Sequence, residues 1–119
     1  MSDPDEPDAL DEAALIDLVG GDRVLAGELA AIFLVDMVPR VTEITAAVDG
    51  RDATRLRSAA HALRGSAASL KAGNVWNAAG ALEAMGRTGV LDGMEDALER
   101  LNLALAALRP RLVALAGRV

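Results

Sequence analysis

From Leu10 to Leu115 apolar residues recur three and four positions apart, the spacing of one face of an α-helix. The clearest run is the last: Leu91, Met94, Leu98, Leu101, Leu105, Leu108, Leu112 and Leu115 predict a long strut helix, which Pro110 is expected to bend or break near Arg109. Before it, Asn74 can cap a helix carrying Val75, Ala78, Ala79, Leu82 and Met85 and ending at Gly86 or Gly89, with Trp76 at its core or rim. Gly80 in that helix either permits close packing or is simply tolerated. Asp52 caps a helix with the stripe Leu56, Ala59, Leu63, Ala67 and Leu70. Asp22 caps a longer one, ended by Gly50, with Leu25, Leu29, Ile32, Phe33, Val41, Ile44 and Val48 on its apolar face. Pro39 is expected to kink that helix. The strip Ile32, Leu34, Val35, Met37 and Val38 is then either ordinary core or turned toward the following helix.

A short first helix, capped by Asp8 or Asp11 and stopped by Gly20-Gly21, carries Leu10, Leu15, Leu18 and Val19 and is expected to form a lid. Residues 1–9 are acidic with Pro4 and Pro7 and read as a disordered tail, leaving 10–119 as one domain. The connections are short and no β pattern or repeat occurs. The expected fold is all-α: an antiparallel up-and-down four-helix bundle with a short extra N-terminal helix.

Composition narrows the function more than the fold. Half of the chain is hydrophobic (52%), yet Phe33 and Trp76 are the only aromatics, which suits interdigitated helices. Cysteine is absent, which removes disulfides and thiolate metal sites, and one histidine cannot supply a usual zinc ligand set without several carboxylates, so redox and zinc readings are poor and no metal is expected. No apolar run is long enough to span a bilayer, and the N-terminus is unlike a signal peptide; a cytoplasmic protein with no membrane partner is expected. Met1 and the acidic segment are expected of a free-standing protein rather than of a domain within a hybrid sensor or chemotaxis kinase. Of the 18 acidic residues six lie in the first twelve positions, so the remainder balances twelve acids against twelve bases. A nucleic-acid partner would want a larger basic excess and stacking aromatics. A monomer is expected, although a stripe that closes a bundle can also close a dimer.

The chemistry concentrates on AHALRGSAASL, Ala60 to Leu70. At about 100° per residue His61 points away from the Leu56–Leu70 stripe and faces solvent, with Thr54, Arg57, Arg64, Gly65 and Ala68 on the same face. Arg51, Arg55, Arg57, Arg64 and Lys71 surround it in sequence against one acid, Asp52, a cluster suited to a phosphoryl group or an acidic partner, or merely a solvated face. Gly65 costs helix stability, and that cost is offset if the missing side chain, with Ala68 a turn further, clears a lane for another macromolecule. No carboxylate lies on the His61 face within a turn, only Thr54 and Ser58, so a general-base hydrolase reading lacks its orienting group. Ser66 turns to the core side, where its hydroxyl suits a bond to the backbone carbonyl of the preceding turn.

Ala60, His61, Leu63, Arg64, Gly65, Ser66 and Ala67, followed by Leu82-Glu83 and Gly86-Arg87, resemble the histidine-containing phosphotransfer (HPt) domains of multistep two-component signalling. Gly21-Asp22 and the run Phe33, Asp36 and Pro39 are also similar, so that the likeness covers roughly residues 10 to 115. It departs at Lys71, where many members carry glycine to leave the helix; Gly73 is expected to take over that turn. The resemblance implies that His61 accepts and donates a phosphoryl group, that Arg64 pairs with its oxygens, and that Gly65 gives clearance to the partner; geometry adds Arg57 as a second phosphoryl-stabilising residue and Ala68 to the clearance. It further implies a phosphocarrier rather than an enzyme, response-regulator receiver domains or a hybrid sensor histidine kinase as partners, and no cofactor, the magnesium belonging to the receiver. The alternative is a phosphate-independent adaptor built on the same bundle.

Overall fold

Three aspartates start three of the helices. The carboxylates of Asp11, Asp22 and Asp52 accept from the amides of Ala14, Leu25 and Arg55 at 3.0, 3.0 and 3.1 Å, satisfying donors that a first turn leaves free. A computed structural model describes residues 9–117, in the order α1 Glu12–Leu18, α2 Arg23–Asp49, α3 Ala53–Ser69, α4 Gly73–Thr88 and α5 Met94–Ala116. Most of the expected acidic tail, residues 1–8, lies outside the described residues, whereas Ala9 and Leu10 are fully buried.

The turn between α3 and α4 differs from expectation. Lys71 itself adopts the left-handed conformation (φ 60°) that turns the chain out of α3, so Gly73 does not take over that turn, and α4 begins at Gly73 after an Ala72 cap with no side-chain bond. Asn74 therefore sits inside the first turn instead of capping it. The Lys71 carbonyl accepts from the Asp11 amide at 3.0 Å, so the strained turn is tied to the start of α1. This bond and the buried Leu10 and Leu15 seat α1 as the expected lid, although Leu18 points outward.

Helices α2 to α5 pack in a ring, each against its two sequence neighbours, with α5 closing on α2. The 27 residues of α2 span about 40 Å and account for the 42 Å long dimension. On α5 Met94, Leu101, Leu105, Leu108, Leu112 and Leu115 are buried as expected, Leu98 is half-buried, and Leu91, also half-buried, precedes the helix. On α2 the buried line is Ala26, Ala30, Phe33, Met37, Ile44, Ala47 and Val48, while Leu25 and Ile32, expected in the core, are exposed. Apolar residues surround α2 almost completely, so spacing alone cannot choose its inner face; the alanines win because they let α3 and α5 approach. The strip around Pro39 divides accordingly: Met37 is core, Leu34 is half-buried, and Ile32, Val35 and Val38 are exposed.

Neither proline breaks its helix: α2 runs through Pro39, and α5 runs through Pro110, so of the bend or break expected near Arg109 the break does not occur. The carbonyls that lose an amide partner belong to Val35 and Ala106, both exposed residues, where water can replace the missing donor.

The tightest contact is between α3 and α4. A Cβ on Gly86 would lie 2.5 Å from the Arg57 amide nitrogen and 2.7 Å from the Ala53 carbonyl oxygen, both backbone atoms that cannot turn aside. Gly86, not Gly80, is the glycine that close packing requires; Gly80 meets only the Arg64 side chain, at 3.8 Å. Gly86→Ala should cost about 1–3 kcal/mol by forcing the helices apart, measured by urea unfolding, whereas Gly80→Ala should be neutral or slightly stabilising.

Candidate functional site

The Gly86 contact sets an antiparallel register that can be followed one turn at a time. Arg57 faces Gly86, His61 faces Glu83, and Arg64 lies against Gly80. His61 is on the outer face of α3 with its side chain 74% exposed, while Glu83 of α4 is 10% exposed. His61 Nδ1 and Glu83 Oε2 are 2.9 Å apart, and Arg64 Nη1 donates to Glu83 Oε1 at 2.9 Å. The Arg64 guanidinium also lies over the Trp76 ring, 4.7 Å from its centroid, placing Trp76 at the rim.

An ionised carboxylate only accepts hydrogen bonds, so the contact with Glu83 places a proton on His61 Nδ1. In the neutral ring the lone pair is then on Nε2, at the far end of an imidazole that is mostly in solvent. The Arg64 hydrogen bond first, and the His61 bond second, hold the Glu83 carboxyl below the usual carboxylate range against the opposing effect of burial. The site is thus an oriented imidazole with one free nitrogen and an anchored, ionised partner behind it.

Glu83 is the orienting carboxylate that the pattern along α3 alone does not show. It comes from 22 positions downstream, and its signal was the Leu82-Glu83 pair, whose second member is the only buried charged residue among the described residues. The basic cluster also changes meaning. Arg51 pairs with Glu95 of α5, Arg55 binds Glu43 of α2 through both oxygens, and Arg64 is held by Glu83. Arg57 is exposed beside His61 and has no hydrogen bond or ion pair among the described residues. Ser66 donates to the Ala62 carbonyl at 3.3 Å, the expected backbone bond.

Gly65 and Ala68 are exposed on the His61 face, and a Cβ added at Gly65 would meet nothing within 4 Å. Nothing inside the fold requires a glycine there.

The family model for the Hpt domain matches residues 28–111, well over half of the chain. The chain belongs to the Hpt family. The fold is also similar to that of the crystal structure of histidine-containing phosphotransfer protein B from Pseudomonas aeruginosa PAO1, with a TM-score of 0.84 and 24% identity, covering 92% of this chain and 96% of that one. No curated protein matches the sequence. In this Hpt domain the two downstream signatures have separate physical roles: Glu83 of Leu82-Glu83 orients the histidine, and Gly86 of Gly86-Arg87 admits α3 close enough for it to do so. No described helix is long and apolar enough to cross a membrane.

Because its folded pKa is depressed, ionised Glu83 adds stability at pH values above the unfolded carboxylate value of about 4.3; that stability is lost as pH falls through the folded value. Glu83→Gln should therefore flatten the acid limb of stability against pH, measured by urea unfolding from about pH 6 downward. An acid limb as steep as that of the wild type would assign the dependence to other carboxylates.

Proposed function

We propose that this Hpt domain is a phosphorelay carrier that accepts a phosphoryl group on His61 Nε2 from a receiver-domain aspartate and passes it to a second receiver. The observation that carries this reading is the Nδ1 contact with Glu83, which leaves a nucleophilic nitrogen facing solvent on a ring of fixed orientation.

The transfer balances without a proton acceptor. The Nε2 lone pair attacks phosphorus in line, the bond from phosphorus to the aspartyl oxygen breaks, and the aspartate leaves as a carboxylate. The ring, still protonated on Nδ1, becomes a cationic phosphoimidazolium paired with ionised Glu83. Reversal to a second aspartate follows the same path, and the cationic ring is a good leaving group. Glu83 is a positioning residue that holds ring orientation and stabilises developing positive charge. Arg64 has N–H groups beyond the one bonded to Glu83 and is assigned to the phosphoryl oxygens, with Arg57 flanking from the preceding turn. Magnesium, in this reading, belongs to the receiver. Open space at Gly65 supports its role as clearance for that partner.

Phosphoramidate and a panel of phosphorylated receiver domains should each place acid-labile, alkali-stable label on His61, absent from His61→Gln, with 31P NMR placing it on Nε2. A folded protein that binds receivers but takes no label would favour the phosphate-independent adaptor. Glu83→Ala should slow labelling by phosphoramidate about tenfold or more, with partial recovery in Glu83→Gln, which retains an acceptor for Nδ1–H; equal rates in all three proteins would remove Glu83 from the mechanism. Gly65→Ala should stabilise the fold by about 0.5–1 kcal/mol. Gly65→Gln should instead block transfer from receivers while sparing phosphoramidate labelling, and normal receiver transfer would refute the clearance role.

A further inference from the structure

Trp76, Gly80 and Glu83 follow one another at four- and three-residue spacing, so they share one face of α4. The Arg64 side chain lies along that face. Its guanidinium donates to Glu83 Oε1 at 2.9 Å and sits 4.7 Å from the centroid of the Trp76 ring. Between these two contacts a Cβ at Gly80 would come 3.8 Å from both Cδ and Nε of Arg64. Gly80 is thus the floor of a shallow track that has an aromatic ring at one end and a carboxylate at the other.

The carboxylate by itself fixes little. One hydrogen bond from one nitrogen leaves a long, half-buried side chain able to turn about it, and arginine has much rotamer freedom to lose. The ring is the second restraint, since the negative face of an indole attracts a guanidinium and shields one side of its plane from water. Core packing does not explain this aromatic: Trp76 is 39% exposed and stands outside the buried cluster.

We infer that Trp76 is a positioning residue for phosphoryl transfer, its ring holding the Arg64 guanidinium at Glu83 so that the remaining N–H groups are already beside His61 when the phosphoryl group arrives. The inference rests on the carrier reading and its assignment of Arg64 to the phosphoryl oxygens. Donors ordered before the reaction need no reorganisation during it. The same restraint serves Glu83, because the Arg64 bond is the first cause of its lowered carboxyl pKa.

Phosphoramidate labelling of His61 in the full chain is the test, because a small donor needs no docking surface. Trp76→Leu should label about two- to fivefold more slowly, the range of an exposed cation–π contact. Trp76→Phe, which keeps a ring face, should recover part of that loss. Added to Arg64→Met, Trp76→Leu should slow labelling no further if the ring acts only through the guanidinium. Thermal melting checks each fold, and Trp76→Met replaces Trp76→Leu if the latter melts early; early melting of both would make the indole a structural residue and overturn the inference. Wild-type labelling by folded Trp76→Leu would overturn it, as would a Trp76→Phe rate no better than that of Trp76→Leu. So would a full further loss in the Arg64→Met background. A wild type that takes no label from any donor overturns the carrier reading and this inference together, whereas a labelled wild type matched by Trp76→Leu overturns this inference alone.

Discussion

The approach of α3 to α4 at Gly86 determines where Glu83 can be. With no side chain at Gly86, the α4 backbone lies against the Ala53 carbonyl and the Arg57 amide. From that fixed point the two helices advance together, and the next turn of each brings His61 to Glu83. The turn after brings Arg64 alongside Gly80 and under the reach of Trp76. A shift of even one residue would leave Glu83 buried without either partner and His61 with no fixed tautomer, so a packing contact one helical turn from the imidazole governs its chemistry.

Electrostatics follows from the same packing. From Arg51 to Lys71 the charges read as a positive patch, yet three of its arginines are taken by acids on three different helices: Arg51 by α5, Arg55 by α2 and Arg64 by α4. The pairs of Arg51 and Arg55 are exposed and contribute little to stability. The pair with Glu83 differs because its carboxylate is largely buried and accepts two charge-assisted bonds. The surface around His61 is consequently less cationic than its sequence suggests.

Local chemistry was legible from residue order. Three aspartate caps, the glycine at the end of α2, the α3 and α5 stripes and the outward direction of His61 all depend on neighbours within a turn or two, where 3.6-residue periodicity and capping rules act. The motif from Ala60 to Ala67 carried enough spacing information to indicate the family that the matched residues 28–111 then showed. Open space at Gly65 was likewise foreshadowed by a glycine that its helix did not need.

Tertiary structure decided what depends on distant residues meeting. It selected the alanine line of α2 over Leu25 and Ile32, because a helix apolar on nearly every side offers no periodic cue and only its neighbours choose the inner face. Both prolines were absorbed into continuous helices because each freed carbonyl belongs to an exposed residue, where water can replace one missing amide. The turn strain fell on Lys71, where a bond to Asp11 from another element secures the turn. Above all, it supplied Glu83: sequence order shows an exposed histidine among arginines, but a hydrogen bond across 22 positions is a consequence of helix register, which spacing within one helix does not encode.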